Sequence, residues 1–137
     1  MTQKKILIVD DDPSLRLGLQ VRLNAYHYDV AFAVDGATSI VEARKYKPDL
    51  ILLDLGLPAG DGFSVLERLK AAGTLSSIPV IVLSGRDRVG NRERALKAGA
   101  KSFLQKPMEN DELVAAIRFV LEENRHDAAV GCSSPLS

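Results

Sequence analysis

The sequence predicts a doubly wound α/β domain, with one five-stranded parallel sheet and five helices packed on its two faces. Three observations predict it. Short apolar runs alternate five times with longer amphipathic stretches. One of the runs, Leu50-Ile51-Leu52-Leu53, is apolar without a break, as a strand covered on both faces requires. Turn and cap residues (Asp12-Pro13, Asp35-Gly36, Gly73, Gly99) stand at the junctions. Strand followed by helix, repeated, gives a parallel sheet joined by right-handed crossovers.

Lys5-Ile6-Leu7-Ile8-Val9 is brief, β-branched and stopped by acids, which makes it the first strand. Asp12 then N-caps a helix with Pro13 at its first position, and Leu15, Leu19, Val21 and Leu23 are its expected apolar stripe. Tyr28 to Val34 is the second strand. Asp35-Gly36 opens the second helix, which carries Ile40, Val41 and Ala43 and stops before Pro48. Leu50 to Leu53 is the third strand and ends at Asp54. A turn-rich loop, Leu57 to Gly62, leads to a helix from Phe63 to Ala72, closed by Gly73. Ile78 to Leu83 is the fourth strand, its proline at the entry, where it does least harm. Arg88 to Ala98 is the fourth helix, ended by Gly99. Lys101 to Gln105 is a short fifth strand. Glu109 to Glu123 is the fifth helix, with Leu113, Ala116, Ile117 and Val120 inward. Apolar periodicity then fades. The expected organisation is a domain over residues 1–125 and a flexible tail or the start of a linker over 126–137.

Composition narrows the function. The chain has 137 residues, 46% hydrophobic and 26% charged, enough for one ordinary globular core. Eighteen basic and eighteen acidic residues cancel, so net charge points to neither a nucleic acid nor a membrane surface. No apolar run is long enough to span a bilayer, and Ile6 to Val9 is too short for a signal-peptide core. The single cysteine, Cys132, has no partner for an internal disulfide, and a reducing cytosolic compartment is expected.

The chemistry gathers at the strand C-termini. Strand one ends in Asp10-Asp11-Asp12, strand three in Asp54, strand four in Ser84 and strand five in Lys106. In an open parallel sheet that edge is where ligands bind. Several carboxylates at close range repel one another and need a cation. Mg²⁺ suits them, because it takes one or two carboxylates, keeps waters and leaves room for a phosphate oxygen. A lysine and a hydroxyl beside it complete a cradle for a phosphoryl group, and an aspartate within it can attack phosphorus. Taken singly, Asp12 is a helix cap, Asp54 a turn residue, Ser84 a loop residue and Lys106 a solvated cation. Four strands delivering them to one edge is what favours a site.

In this order and spacing the sequence resembles the receiver domain of two-component response regulators, the CheY-like, flavodoxin-like fold. The resemblance covers about Lys4 to Asn124. It rests on Ile6 to Asp12, Asp49 to Pro58, Asp61-Gly62, Ile78 to Gly85, Ala98-Gly99-Ala100 and Phe103 to Pro107. It implies that Asp54 accepts a phosphoryl group from a phosphohistidine of a sensor histidine kinase or phosphotransfer protein. Asp11 would bind Mg²⁺ directly and Asp10 mainly through water, with the Gly56 carbonyl as a further ligand. Ser84 would hydrogen-bond the phosphoryl group and Lys106 would pair with it, aimed by a cis Lys106–Pro107 bond. Phe103, often a tyrosine in the family, would be the aromatic switch, and the surface of helix four, strand five and helix five the readout.

The resemblance further implies an unidentified downstream protein target, no direct nucleic-acid contact by this domain, and room for a phosphorylation-dependent homodimer. It implies no enzyme beyond the chain's own phosphorylation and dephosphorylation. Helix four is basic, with Arg86, Arg88, Arg92, Arg94 and Lys97 against Asp87 and Glu93. A solvated face is the expectation, and a docking surface for an acidic partner the alternative. Two other classes fit less well. A haloacid-dehalogenase-type phosphatase would want a small or glycine-containing turn after its strand-one acids, where Pro13-Ser14 stands. A receiver that no longer takes phosphate would not need Asp10, Asp11, Asp54, Ser84 and Lys106 together.

Overall fold

The structure, a computed structural model, describes residues 3–56, 62–85, 88–106 and 108–133, and of residues 88, 89, 110 and 124–133 the backbone only. The strands are β1 (Lys5–Val9), β2 (Asp29–Ala33), β3 (Leu50–Asp54), β4 (Val80–Ser84) and β5 (Ser102–Gln105). The helices are α1 (Pro13–Ala25), α2 (Gly36–Tyr46), α3 (Gly62–Ala71), α4 (Arg88–Lys97) and α5 (Asn110–Ser133). All strands are parallel, in the order β2-β1-β3-β4-β5, which is the flavodoxin-like α/β fold.

Alternation along the strands builds two cores. Leu7, Val9, Ile51, Leu53, Val80, Val82 and Phe103 face Ala43 of α2, Phe63, Val65, Leu66 and Leu69 of α3, and Ala95 of α4. Ile6, Ile8, Leu50, Leu52, Ile81, Leu83 and Leu104 face Leu19 and Leu23 of α1 and Leu113, Ile117 and Val120 of α5. β3 lies in the middle and is buried along its whole length, as its unbroken apolar run requires. Asp12 caps α1 by accepting from the amides of Ser14 at 2.9 Å and Leu15 at 3.4 Å, with Pro13 at the first helical position. Asp35 caps α2 through the Thr38 amide at 2.8 Å. After α3 and α4 the chain turns through Gly73 and Gly99 at φ of 58° and 111°, backbone that a side chain would strain.

Three expectations change. Val21 is 63% exposed rather than part of the α1 stripe, because it stands two residues, or about 200°, from the buried Leu19. Val41 points outward from α2 in the same way. A 3₁₀ turn over Gly73–Ser77 fills what reads as a plain loop. Helix α5 runs from Asn110 to Ser133, past its expected end at Glu123. Fading amphipathicity in the sequence does not mark where this helix stops. Ala128 and Ala129 are strong helix formers, and no glycine or proline intervenes before Gly131. Residues 134–137 of the expected tail, the loop residues 57–61 and the expected cis Lys106–Pro107 bond lie outside the described residues.

Candidate functional site

The crossovers after β1 and β3 leave toward opposite faces of the sheet, since α1 packs on one and α3 on the other. The crevice between the ends of these adjacent strands is therefore the switch point at which such sheets bind ligands. Val9 pairs with Leu53 in register, so Asp10 and Asp54 emerge side by side from the two strands. Asp10 is 1% and Asp54 7% exposed, while Asp11 opens to solvent. Carboxylate oxygens of Asp10, Asp11 and Asp54 lie within 4.8 Å of one another.

Lys106 enters from the end of β5, held by its own amide donating to the Ser84 carbonyl at 2.8 Å. Its ammonium lies 3.2 Å from Asp10 Oδ2 and 3.2 Å from Asp54 Oδ1. One cation thus bridges two carboxylates that would otherwise repel. Asp10 Oδ1 also accepts from the Asp12 amide at 2.9 Å, so the turn into α1 fixes that carboxylate. Burial pushes the Asp10 carboxyl above its ordinary value. The Asp12 amide and Lys106 oppose the shift, and the charge on Asp54 adds to it.

The Gly56 amide donates to Asp54 Oδ1 at 3.2 Å. A side chain at Gly56 would begin 3.6 Å from Asp54 Oδ2, so glycine leaves the Asp54 carboxylate uncovered. Ser84, buried at the end of β4, completes the edge. A cleft of about 380 Å³ lined by Asp12, Leu15, Arg22, Lys106 and Met108 adjoins it. Phe103 lies one strand over and two residues back from Ser84 in register, 8% exposed, on the core face toward α3 and α4.

The structure therefore brings together Asp10, Asp11, Asp54, Gly56, Ser84 and Lys106, and sets Phe103 apart in the core. Two contributions went unread in the sequence. One is the Asp12 amide on Asp10, which needs the bend at the strand end to be visible. The other is Gly62, whose amide donates to the Leu55 carbonyl at 3.2 Å and whose missing side chain would sit 2.6 Å from Leu55 Cα. The Asp61-Gly62 pair at the end of the loop was its signal in the sequence.

The chain matches the family model of the response regulator receiver domain over residues 6–118. It belongs to the response-regulator receiver family. It is 39% identical over 134 residues to the response regulator PleD of Caulobacter vibrioides, covering 93% of this chain and 29% of that protein. It is 40% identical to the transcriptional regulatory protein PrrA of Mycobacterium tuberculosis, covering 88% of this chain and 51% of that one. The chain thus spans from under a third to about a half of the length of these relatives.

Among solved structures, a CheY-like receiver domain protein of Methanospirillum hungatei superposes with a TM-score of 0.85 at 26% identity, over 92% of this chain and 99% of that one. The receiver domain of the Pseudomonas aeruginosa sensor histidine kinase PA1611, which carries a magnesium ion in its active-site cleft, gives 0.81 at 29% identity, over 88% and 99%. This receiver is a signalling domain of two-component systems. Among its described residues, no helix is long and apolar enough to cross a membrane.

Proposed function

We propose that Asp54 is the phosphoacceptor of this receiver, taking a phosphoryl group from a phosphohistidine of a sensor histidine kinase or phosphotransfer protein in an Mg²⁺-dependent reaction. The observation that carries the reading is the meeting of three carboxylates and one ammonium at the sheet's switch point, with Asp54 at the end of its central strand. The Asp54 carboxylate oxygen forms the new bond to phosphorus. The phosphorus–nitrogen bond breaks, and its electron pair stays on the donor imidazole. Lys106 is placed to leave its two carboxylates for the incoming phosphoryl oxygens, and the Ser84 hydroxyl to donate to one of them.

The donor set fits a hard divalent cation, being all oxygen, clustered within 4.8 Å and open to water on the Asp11 side. Asp11 and Asp54 would hold Mg²⁺ directly, the Gly56 carbonyl would add a ligand, and Asp10 would act mainly through water. Bound there, the ion neutralises charge that accumulates around phosphorus.

A phosphoryl group adds about −1.5 to −2 charges. Ser84 and Lys106 contact the two states differently and so bias an equilibrium between them. Phe103 is the relay to a readout surface formed by α4, β5 and α5, which would meet a downstream protein or a second copy of the chain. The domain turns over only its own phosphate, and its setting is cytoplasmic. Residues 1–125 would form the receiver unit, and 126–137 a tail or the start of a linker. Incubation with Mg²⁺ and acetyl phosphate should add one phosphoryl mass to the chain and none to Asp54→Asn. Beryllofluoride should likewise bind the native chain alone. A gain that persists in Asp54→Asn, or no gain in the native chain, would falsify the assignment.

A further inference from the structure

Helix α4 is the least anchored helix of the described fold. Among its described side chains only Ala95 is buried, whereas α3 buries Gly62, Phe63, Val65, Leu66 and Leu69. Its described cations, Arg92, Arg94 and Lys97, are exposed, and Lys97 lies 3.7 Å from Glu93 with both side chains largely exposed. Arg94 also covers a ring. Its guanidinium lies 3.8 Å from the centroid of the Phe63 ring. Phe63 is 6% exposed and sits in the core cluster that also holds Phe103 and Ala95. A cation over a buried ring is a directional contact that a solvated surface charge does not have.

Phe63 also follows Gly62, the residue wedged against the acceptor strand. A side chain at Gly62 would sit 2.6 Å from Leu55 Cα and 2.7 Å from the Asp54 carbonyl oxygen. Its amide donates to the Leu55 carbonyl at 3.2 Å. The backbone of Asp54 and Leu55 thus touches Gly62, Phe63 comes next, and Arg94 clasps its ring. No slack separates the acceptor from the base of α3.

We propose that Arg94 is a positioning residue for α4, a latch that ties the helix to Phe63 and passes displacement at the Asp54 end of β3 to it through the start of α3. This transmission rests on the phosphoacceptor reading, but it runs beside the Ser84 and Phe103 route rather than through it. The latch itself needs only the contact in the unliganded protein.

Backbone hydrogen exchange of the full chain tests both parts. Without ligand, Arg94→Ala and Phe63→Leu should each speed exchange in α4 by about three- to tenfold, the size of one cation–π contact, and the double variant should be no faster. Arg94→Lys should fall between. Lys97→Ala, on the same helix but off the ring, should match the native chain. Native exchange rates in Arg94→Ala, or equal acceleration in Lys97→Ala, overturn the latch. With Mg²⁺ and beryllofluoride, the change in α4 exchange should drop by more than half in Arg94→Ala while ¹⁹F spectra report the same occupancy. A full α4 response in that variant overturns the transmission. A native chain that binds no beryllofluoride refutes the acceptor reading and the transmission together. That failure stands apart from a failed latch, because the unliganded rates in α4 still rise on removing Arg94.

Discussion

The same substitution at two glycines should move stability in opposite directions. At Gly62 a Cβ would lie 2.6 Å from Leu55 Cα and 2.7 Å from the Asp54 carbonyl oxygen, both backbone atoms of buried residues at the end of β3. Ordinary contact begins near 3.4 Å, so α3 or β3 must retreat by about 0.8 Å. Overpacking of this kind costs about 1–3 kcal/mol. For a domain of this size that lowers Tm by about 4–12 °C. Gly18 lies in α1 with nothing within 4 Å of its Cβ position, so Gly18→Ala gains only the backbone entropy of a helical glycine. That gain is about 0.5–1 kcal/mol. Urea denaturation of both variants, with unchanged slopes, measures the difference. Gly62→Ala should also weaken beryllofluoride binding, since the strand that must yield carries Asp54. Should Gly62→Ala prove as stable as the native chain, the close approach inferred between α3 and β3 is wrong.

Three further outcomes are expected. Asp10→Asn should stabilise the metal-free protein by on the order of 1 kcal/mol at pH 7, because burial raises the folded pKa and the ionised form carries a cost. The gain should vanish as pH falls below the unfolded carboxylate value, and Mg²⁺ should stabilise the native chain more than the variant in thermal melts. Asp35→Asn should be less stable than the native chain at pH 7, because hydrogen bonds from the Thr38 amide and hydroxyl hold the Asp35 carboxyl below its ordinary value. A depressed folded pKa gives stability that is present above the unfolded value of 3.8 and lost as pH falls through the folded one, so urea midpoints of the two should converge in acid. Gly56→Leu should fold normally, since its Cβ would sit no nearer than 3.6 Å to Asp54, yet lengthen the acyl-phosphate half-life by about fivefold by hindering water. Phosphate release after the donor is removed reads this directly.

The strands and the site were legible because both are written in the same few positions. An apolar run buried on two faces has one period to offer, and the acid that stops it stands where the sheet ends. Asp10, Asp54, Ser84 and Lys106 could therefore be placed at one edge from spacing alone. Helix faces were less legible. Val21 and Val41 are apolar but point outward, and single apolar residues on a surface carry little cost. The end of α5 was less legible for a related reason: a fading hydrophobic period does not by itself end a helix, and α5 runs on to Ser133. Contacts between non-adjacent elements were not legible at all. Nothing near Arg94 in sequence announces Phe63, and nothing near Lys106 announces that its ammonium spans two carboxylates.

That span gives the site its logic. Two apolar cores, one on each face of the sheet, hold the fold without help from the acids. The acids are a liability that those cores sustain: Asp10 is nearly inaccessible to water, Asp54 hardly less so, and Lys106, with the Asp12 and Gly56 amides, stands against their repulsion. A site already satisfied by its own side chains would have little to gain from a ligand. Here one ammonium is shared between two carboxylates and a third carboxylate is left to water, so further positive charge is favoured before any phosphate arrives. The same ammonium is poised for a new anion at Asp54, since that anion offers it more charge than either carboxylate. On the proposed phosphoacceptor reading, the unrelieved electrostatics of the unmodified state is what would make a phosphorylated state distinguishable. Substitutions that quiet it, such as Asp10→Asn, should stabilise the fold and blunt the switch together.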